Sequence, residues 1–191
     1  MLSGDELLEA LSAIDLDFNT LNVHRCVAGR HINSLASTRG SMKADNRYSR
    51  AYRFEALYTS YYPTIAMLEV IQSKNFQGFM PGAISVQHFT FSLSVRSDGI
   101  LDLTVPDVQK LLGTNLQELT GDWKTVNQEY GEDAPTQILG QAAYDCERIK
   151  AIRYPSKIDP TMANLVIFKN RIGFDLMPLS LPADFPDQTP L

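Results

Sequence analysis

The sequence predicts one compact α+β domain, in which a central and mostly antiparallel β-structure is flanked by helices. Its 191 residues suit a single domain with a sizeable core. The composition, with 44% hydrophobic and 20% charged residues, is that of an ordinary globular protein. Strand-like and helix-like segments are mixed along the chain without the repeated βαβ order of a doubly wound parallel sheet. We therefore expect one domain over 1–191, with its core at about 20–172.

The predicted helices are recognised by their termini and by the spacing of their apolar residues. The first follows Ser3, a residue typical of N-caps, and repeats leucines on one face. Pro63 begins the second, because proline fits the first turn of a helix. The third begins at Pro106 and ends at Gly113, which is the usual punctuation of a short helix. The predicted helices are residues 4–14, 63–74, 106–113 and 136–147.

The predicted strands are runs of β-forming residues. The clearest is "ISVQHFTFSLSV", which alternates with period two. The turn residues "SDG" follow it, so we expect a hairpin with "ILDLTV". The predicted strands are residues 21–28, 54–60, 84–95, 100–105, 150–156 and 164–169. Polar residues 29–50 and 114–135 are expected to be loops, the second with some helix, and the proline-rich tail 177–191 is expected to be extended or partly disordered.

Charge and motif content exclude several classes of function. The net charge of −5 argues against non-specific nucleic-acid binding, which needs a basic surface, but it allows a local basic pocket for a small phosphate ligand. Cys26 and Cys146 lack metal-ligand spacing and fit a reducing compartment. With three scattered histidines, no metal is expected. The sequence lacks GxGxxG, Walker, HExxH, CxxC and GxSxG motifs.

The N-terminal sequence and the hydropathy pattern bear on localisation. "MLSGDELLEALSAID" is acidic and lacks the basic start and long apolar core of a signal peptide. No apolar run is long enough to cross a membrane. We expect a cytoplasmic protein, or one exported by a route that leaves no cleavable signal.

One acidic residue interrupts an otherwise apolar helix. In "PTIAMLEVIQ", Glu69 is the sole charged residue between Glu55 and Lys74. A helix that is apolar on several faces is expected to be buried, and a buried carboxylate is costly unless it is paired or hydrogen-bonded. A core arginine such as Arg25 is the plainest partner, and that structural pairing is one hypothesis for Glu69.

Several other polar residues stand alone in strand-like or apolar surroundings. Each has an ordinary interpretation as a turn residue, a cap or a surface ion pair, because most polar residues near element ends serve these purposes. Considered together with Glu69, they form an ordered set of candidates for a functional site. The set comprises Arg25, Arg47, Tyr58, Ser156 and Asn164.

The ordered set resembles the RES-domain family, the toxin components of a class of bacterial toxin–antitoxin systems. The matching segments are, in order, "VHRCVAGR", "ADNRYS", "EALYTSYYPTIAMLEV", "LDLTVPDVQKLLG" and "LGQAAYDCERIKAIRYPSKIDPTMANLVIF". The resemblance covers about residues 20–172. The chain departs from the family pattern at two places. His24 replaces the aromatic residue before Arg25, and in one loop Asp45 and Asn46 replace two glycines and Ser49 replaces an asparagine. Asn46 still suits a turn, and Asp45 is expected to point away from any anion site.

The resemblance implies an ADP-ribosyltransferase-like fold and an enzyme that consumes NAD+ without a metal. Members of the family cleave the nicotinamide–ribose bond and pass ADP-ribose to phosphate, to water or to a protein. The implied catalytic residues are Glu69, Arg25 and Ser156. Those implied to bind the dinucleotide are Arg47, Tyr48, Tyr58 and Asn164.

Each implied role suits the chemistry of its residue. Guanidinium groups of Arg25 and Arg47 would bind the pyrophosphate, and Tyr58 or Tyr48 would stack on the cationic nicotinamide ring. The carboxylate of Glu69 would stabilise positive charge on the ribose. The two remaining side chains would hydrogen-bond the nicotinamide amide, the ribose or a phosphate; they are Ser156 and Asn164.

Two further hypotheses stay open beside an NAD+-degrading toxin. The protein could modify a protein target with ADP-ribose, or it could be a catalytically weak module that binds a nucleotide or a partner. The family also implies a cognate antitoxin with a helix-turn-helix domain that blocks the pocket. No direct contact with nucleic acid or membrane is expected.

Overall fold

The computed structural model describes residues 1–76, 87–172 and 177–178. Within them, the strands are β1 (Asp17–Ala28), β2 (Ala56–Ser60), β3 (His88–Asp102), β4 (Ala151–Pro155), β5 (Ala163–Phe168) and β6 (Met177–Pro178). The helices are α1 (Gly4–Ala13), α2 (Arg39–Met42), α3 (Pro63–Phe76), α4 (Pro106–Leu111), α5 (Leu116–Thr120), α6 (Trp123–Tyr130) and α7 (Pro135–Asp145), with a 3₁₀ turn at Gly29–Ser34. No helix in these ranges is long and apolar enough to cross a membrane.

The strands form one sheet that closes on itself. Their order is β1-β2-β5-β4-β3-β6, and β1 also pairs with β3. That long pairing runs from Asp17 opposite Ile100 to Ala28 opposite His88. The pairing of β3 with β4 is parallel and the others are antiparallel, which confirms a mostly antiparallel sheet flanked by helices.

Strand β5 divides the core into two layers. Val166 and Phe168 face the helical layer, where Leu7 of α1 and Leu139 of α7 are fully buried. The alternate residues Leu165 and Ile167 face the second cluster, inside the closed sheet. All six residues of β5 are buried, which explains why this strand is apolar almost throughout rather than alternating. Polar Asn164 is therefore held among rigid, closely packed neighbours.

The predicted hairpin at "SDG" is wrong, because β3 runs without a break from His88 to Asp102. Gly99 serves a close backbone approach instead of a turn. A Cβ there would overlap the carbonyl oxygen of Arg148 and lie 3.1 Å from Lys150 Cγ. The Lys150 N–H also donates to the Gly99 carbonyl at 2.8 Å, which joins this part of β3 to the start of β4.

Helix α3 is less buried than its apolar sequence predicts. Ile65 and Ala66 lie in the core, whereas Met67 and Leu68 are 43% and 39% exposed. The helix therefore packs along one side against β1, β2 and β3, and Glu69 is only half-buried. The expectation of a buried helix holds for one face only, because an apolar sequence does not by itself show which face is covered.

The other sequence predictions differ from the structure mainly at element boundaries. The predicted loop 29–50 contains the 3₁₀ turn and α2, and 114–135 contains α5 and α6. Ser3 occupies the N-cap of α1 but makes no side-chain capping hydrogen bond. The start of the predicted strand 84–95 and most of the tail 177–191 lie outside the described residues.

Candidate functional site

A cavity of about 470 Å³ lies beside β1, β2 and α3. Five of the seven residues predicted for the site line it, and they come from parts of the chain far apart in sequence. They are Arg25, Arg47, Tyr58, Glu69 and Asn164. The structure thus brings together side chains that the sequence shows only as separate polar residues.

Glu69 is held by two neutral donors at one of its carboxylate oxygens. Ser156 Oγ and Asn164 Nδ2 each donate to Glu69 Oε1 at 2.9 Å. Ser156 follows β4 and Asn164 lies in β5, so the antiparallel β4–β5 pairing places both donors opposite α3. No hydrogen bond to Glu69 Oε2 occurs within the described ranges, which leaves that oxygen for a ligand.

Two predicted residues are placed differently from their implied roles. Ser156 is fully buried, donates to Glu69 and accepts from the Ile158 N–H at 3.1 Å, so it orients the carboxylate rather than touching a ligand. Tyr48 is also fully buried, with its ring centroid 4.6 Å from that of Tyr154. A ring inside the core cannot stack on nicotinamide, so the implied stacking role does not fit Tyr48.

Asn164 is held deep in the wall beside Glu69. The side chain is 2% exposed, and its Oδ1 is buried without a hydrogen-bond partner in the part of the chain that the structure describes. A buried unpaired acceptor costs about 1–3 kcal/mol, and this oxygen is closed off from the cavity. The acceptor that these two residues leave for hydroxyl or amide donors is therefore Glu69 Oε2.

Arg25 is tethered by backbone carbonyls and not by a carboxylate. Its NH1 and NH2 donate to the carbonyls of Leu35 and Ser37 at 2.8 and 2.9 Å. Burial lowers the pKa of Arg25 to about 10, so the guanidinium is still cationic at neutral pH. Within the described ranges no acidic residue forms an ion pair with it, and the hypothesis of a structural Glu69–Arg25 pair is wrong.

Arg47 is held in a similar way on another wall. Its NH1 donates to the carbonyls of Leu119 and Gly121 at 2.8 and 3.0 Å. The adjacent Asp45 turns away, as expected. Its carboxylate accepts from the Ala51 N–H at 2.9 Å and pairs with Arg50 at 3.4 Å. The loop's departure from the family pattern therefore places no acid in the cavity wall at Asp45.

Tyr58 contributes an apolar ring and a hydroxyl that the protein already uses. Its hydroxyl accepts from the Tyr48 N–H and lies 3.2 Å from Ser49 Oγ. Burial raises the pKa of Tyr58 to about 12, while its hydrogen bonds and nearby Arg47 lower it by less. The phenol is therefore neutral at physiological pH and serves as a flat, uncharged part of the wall.

Among the lining residues that the sequence analysis missed, five lie at the start of α6 or in and just after β4. Trp123 and Lys124 begin α6, in a polar stretch predicted as loop, and Lys157 follows Ser156 directly. Burial lowers the pKa of Lys124, and the neighbouring cations Lys157 and Arg47 lower it further. The one usable signal was Trp123, the single tryptophan of the chain, in a polar segment. The five are Asp122, Trp123, Lys124, Tyr154 and Lys157.

The donor set favours an anionic organic ligand over a metal. No group of three His, Cys, Asp or Glu side chains within the described ranges is placed to hold a metal ion. Two tethered guanidiniums, two lysines and flat aromatic rings instead suit phosphate groups and planar bases.

Comparison with known proteins agrees with the fold and with the ordered motifs. A family model described as the RES domain matches residues 22–184. A chain of the crystal structure of the M. tuberculosis MbcT–MbcA toxin–antitoxin complex is similar in structure, with a TM-score of 0.72 over 93% of this chain and 91% of that chain at 18% sequence identity. No curated protein matches the sequence. The sheet and its flanking helices have an ADP-ribosyltransferase-like α+β fold, and the chain belongs to the RES domain family.

Proposed function

We propose that this protein is the toxin of a toxin–antitoxin system and degrades NAD+ by cleaving the bond between nicotinamide and ribose. The observation that carries this proposal is the half-satisfied carboxylate of Glu69, fixed through Oε1 with Oε2 left for a ligand. It stands in a cavity that also contains Arg25 and Arg47. Family membership supports the same chemistry.

Glu69 acts on the charge that develops during bond cleavage. Nicotinamide leaves with the electron pair of the C–N bond, so the ribose becomes oxocarbenium-like and positively charged. A preorganised carboxylate stabilises that charge more in the transition state than in the ground state, and so accelerates the step. Glu69 Oε2 also accepts a hydrogen bond from a ribose hydroxyl or from the nicotinamide amide, while Asn164 holds the carboxylate in place.

The remaining groups bind the rest of the dinucleotide. Arg25 and Arg47 are cationic and donate to the pyrophosphate oxygens. Tyr58 and Trp123 offer aromatic surface to the planar rings. The released ADP-ribosyl group is captured by an oxygen of phosphate or by water, and with water a proton is released to solvent.

Other acceptors and partners follow from the same site. A side chain of a target protein would capture ADP-ribose in place of phosphate or water, and a catalytically weak member would only bind the nucleotide. An antitoxin with a helix-turn-helix domain is proposed as the cognate partner. The similarity to a chain of a toxin–antitoxin complex supports a partner of that class.

The decisive test replaces Glu69 by glutamine. Glu69→Gln keeps the size of the side chain but removes the negative charge, and we expect nicotinamide release from NAD+ to fall at least about a hundredfold. The assay is run with and without phosphate, which separates phosphate from water as acceptor. Glu9→Gln, an exposed change in α1, is the matched control. Near-normal turnover by Glu69→Gln contradicts the role assigned to Glu69.

Growth of the host bacterium supplies the second readout of the same pair of variants. Wild-type protein and Glu9→Gln are expected to arrest growth on induction, whereas Glu69→Gln is expected to be tolerated. Arrest by a Glu69→Gln variant that releases no nicotinamide would show toxicity without NAD+ cleavage and would overturn the proposed mechanism.

A further inference from the structure

Helix α7 lies directly behind the loop that carries Arg47. Gly140 of α7 packs against the backbone of Tyr48, the residue after Arg47. A Cβ on Gly140 would overlap the Tyr48 carbonyl oxygen and lie 2.7 Å from its carbonyl carbon and 3.0 Å from its Cα. Since real Cβ atoms do not approach backbone below about 3 Å, only glycine allows this contact.

One turn earlier on α7, Gln137 holds the other side of the same loop. Its Nε2 donates to the Asn46 carbonyl at 2.9 Å, and Asn46 immediately precedes Arg47. Its Oε1 accepts from the Ala134 N–H at 2.9 Å, which fixes the amide orientation. Gln137 is 2% exposed, so these bonds are shielded from competition with water.

The contacts of Gln137 and Gly140 are made with the residues directly before and after Arg47. The position of Arg47 determines how the cavity binds anions. The Arg47 guanidinium reaches Leu119 and Gly121 only if its backbone stands at the correct distance from α5. A displacement of about 1 Å at a positioning contact is enough to reduce activity about a hundredfold. Asn46 and Tyr48 are therefore the backbone points at which the position of Arg47 is set.

We infer that Gln137 and Gly140 are positioning residues of the anion site, so that α7 sets the affinity for the pyrophosphate without touching it. Neither side chain lines the cavity. The inference deepens the proposed function and rests on it for the identity of the natural ligand. The contacts by which α7 holds the Arg47 loop, called the α7 clamp below, do not depend on which dinucleotide binds.

The first experiment replaces Gln137 by methionine, which conserves the volume but removes the donor. Gln141→Met is the matched control, because Gln141 lies one turn further along α7 and its exposed amide donates to Asp145, away from the Arg47 loop. We expect the backbone amides of Asn46 and Tyr48 to exchange with solvent at least about tenfold faster in Gln137→Met. Affinity for inorganic pyrophosphate, used as the probe, is expected to fall about tenfold, with Arg47→Ala as the reference for complete removal of that guanidinium.

The second experiment uses the glycine contact. Gly140→Ala is compared with Gly40→Ala, because a Cβ on Gly40 meets no atom within 4 Å. We expect Gly140→Ala to weaken pyrophosphate binding and Gly40→Ala to leave it unchanged. If Gln137→Met does not fold, the comparison of Gly140→Ala with Gly40→Ala tests the positioning role of α7.

The outcomes separate the inference from the proposed function. Unchanged amide exchange and unchanged pyrophosphate affinity in both α7 variants overturn the inference. Wild-type protein that binds pyrophosphate but releases no nicotinamide from NAD+ overturns the proposed function and leaves the α7 clamp supported. A higher KM for NAD+ with kcat nearly constant is the expected kinetic signature of the clamp.

Discussion

At the scale of single residues, the two oxygens of Glu69 are not equivalent. Oε1 accepts from Ser156 and Asn164, while Oε2 has no donor among the described residues. Such an arrangement fixes the side-chain rotamer while leaving charge available at one atom. Neutral donors suit this purpose, since an arginine partner would neutralise the carboxylate that the chemistry needs.

Ser156→Ala tests whether this fixation matters for catalysis. The change removes one of two bonds that orient Glu69 and adds no bulk to the buried site. We expect kcat for NAD+ cleavage to fall about tenfold, which is ~1.4 kcal/mol, with KM nearly unchanged. Ser12→Ala, at an exposed position of α1, is the control. A large rise in KM at constant kcat would instead show that Ser156 contacts the substrate.

At the scale of elements, the sequence predicted the helices and strands whose signals come from neighbouring residues. Proline starts located α3 and α4, the helix predicted over 136–147 corresponds to α7 within a few residues, and the apolar run of β5 was found. The interruption of β3 at "SDG" was predicted wrongly, because a glycine in a turn and a glycine under another backbone segment look alike in one sequence.

The candidate site likewise contains residues that local sequence identifies and residues whose position depends on distant contacts. Glu69 stood out because a lone acid in an apolar helix is costly, and that signal is local. Lys124 and Trp123 did not stand out, since a polar segment gives no indication of which distant cavity its helix borders. The buried position of Tyr48 was equally inaccessible, because it depends on the glycine of α7 that admits its backbone.

Gly99→Ala tests the element that the sequence misassigned. The new Cβ would push β3 away from the Arg148 carbonyl, where no flexible side chain can yield. We expect a loss of about 1–3 kcal/mol in the free energy of unfolding. For a chain of this size that lowers the melting temperature by about 2–4 °C per kcal/mol. Thermal unfolding measures this change, with Gly40→Ala as the control. Equal melting temperatures for the two variants would contradict the close approach of Gly99 to the Arg148 carbonyl.

At the scale of the whole molecule, charge is distributed unevenly between the cavity and the rest of the surface. The chain carries a net charge of −5. The cavity wall holds four cationic side chains against the two carboxylates Glu69 and Asp122, a local excess of two positive charges. The acidic remainder disfavours non-specific binding of polyanions, whereas the cavity concentrates small anions.

Varying the ionic strength therefore tests whether the cationic wall of the cavity attracts the anionic dinucleotide. Salt shortens the Debye length, which is about 8 Å at physiological ionic strength, and screens half-exposed charges most strongly. We expect kcat/KM for NAD+ to fall as salt rises from about 0.02 M to about 0.5 M. Lys157, 3.6 Å from Asp122 and 40% exposed, is the lining cation most open to this screening.

Lys157→Gln is expected to lower kcat/KM at low salt and to flatten its dependence on salt, because one of the screened attractions is gone. Lys110→Gln, an exposed lysine of α4 outside the cavity wall, makes the same change in net charge. Its salt dependence is expected to match that of the wild type. Equal slopes for the two variants would show that net charge, and not the cationic wall of the cavity, governs attraction of the dinucleotide.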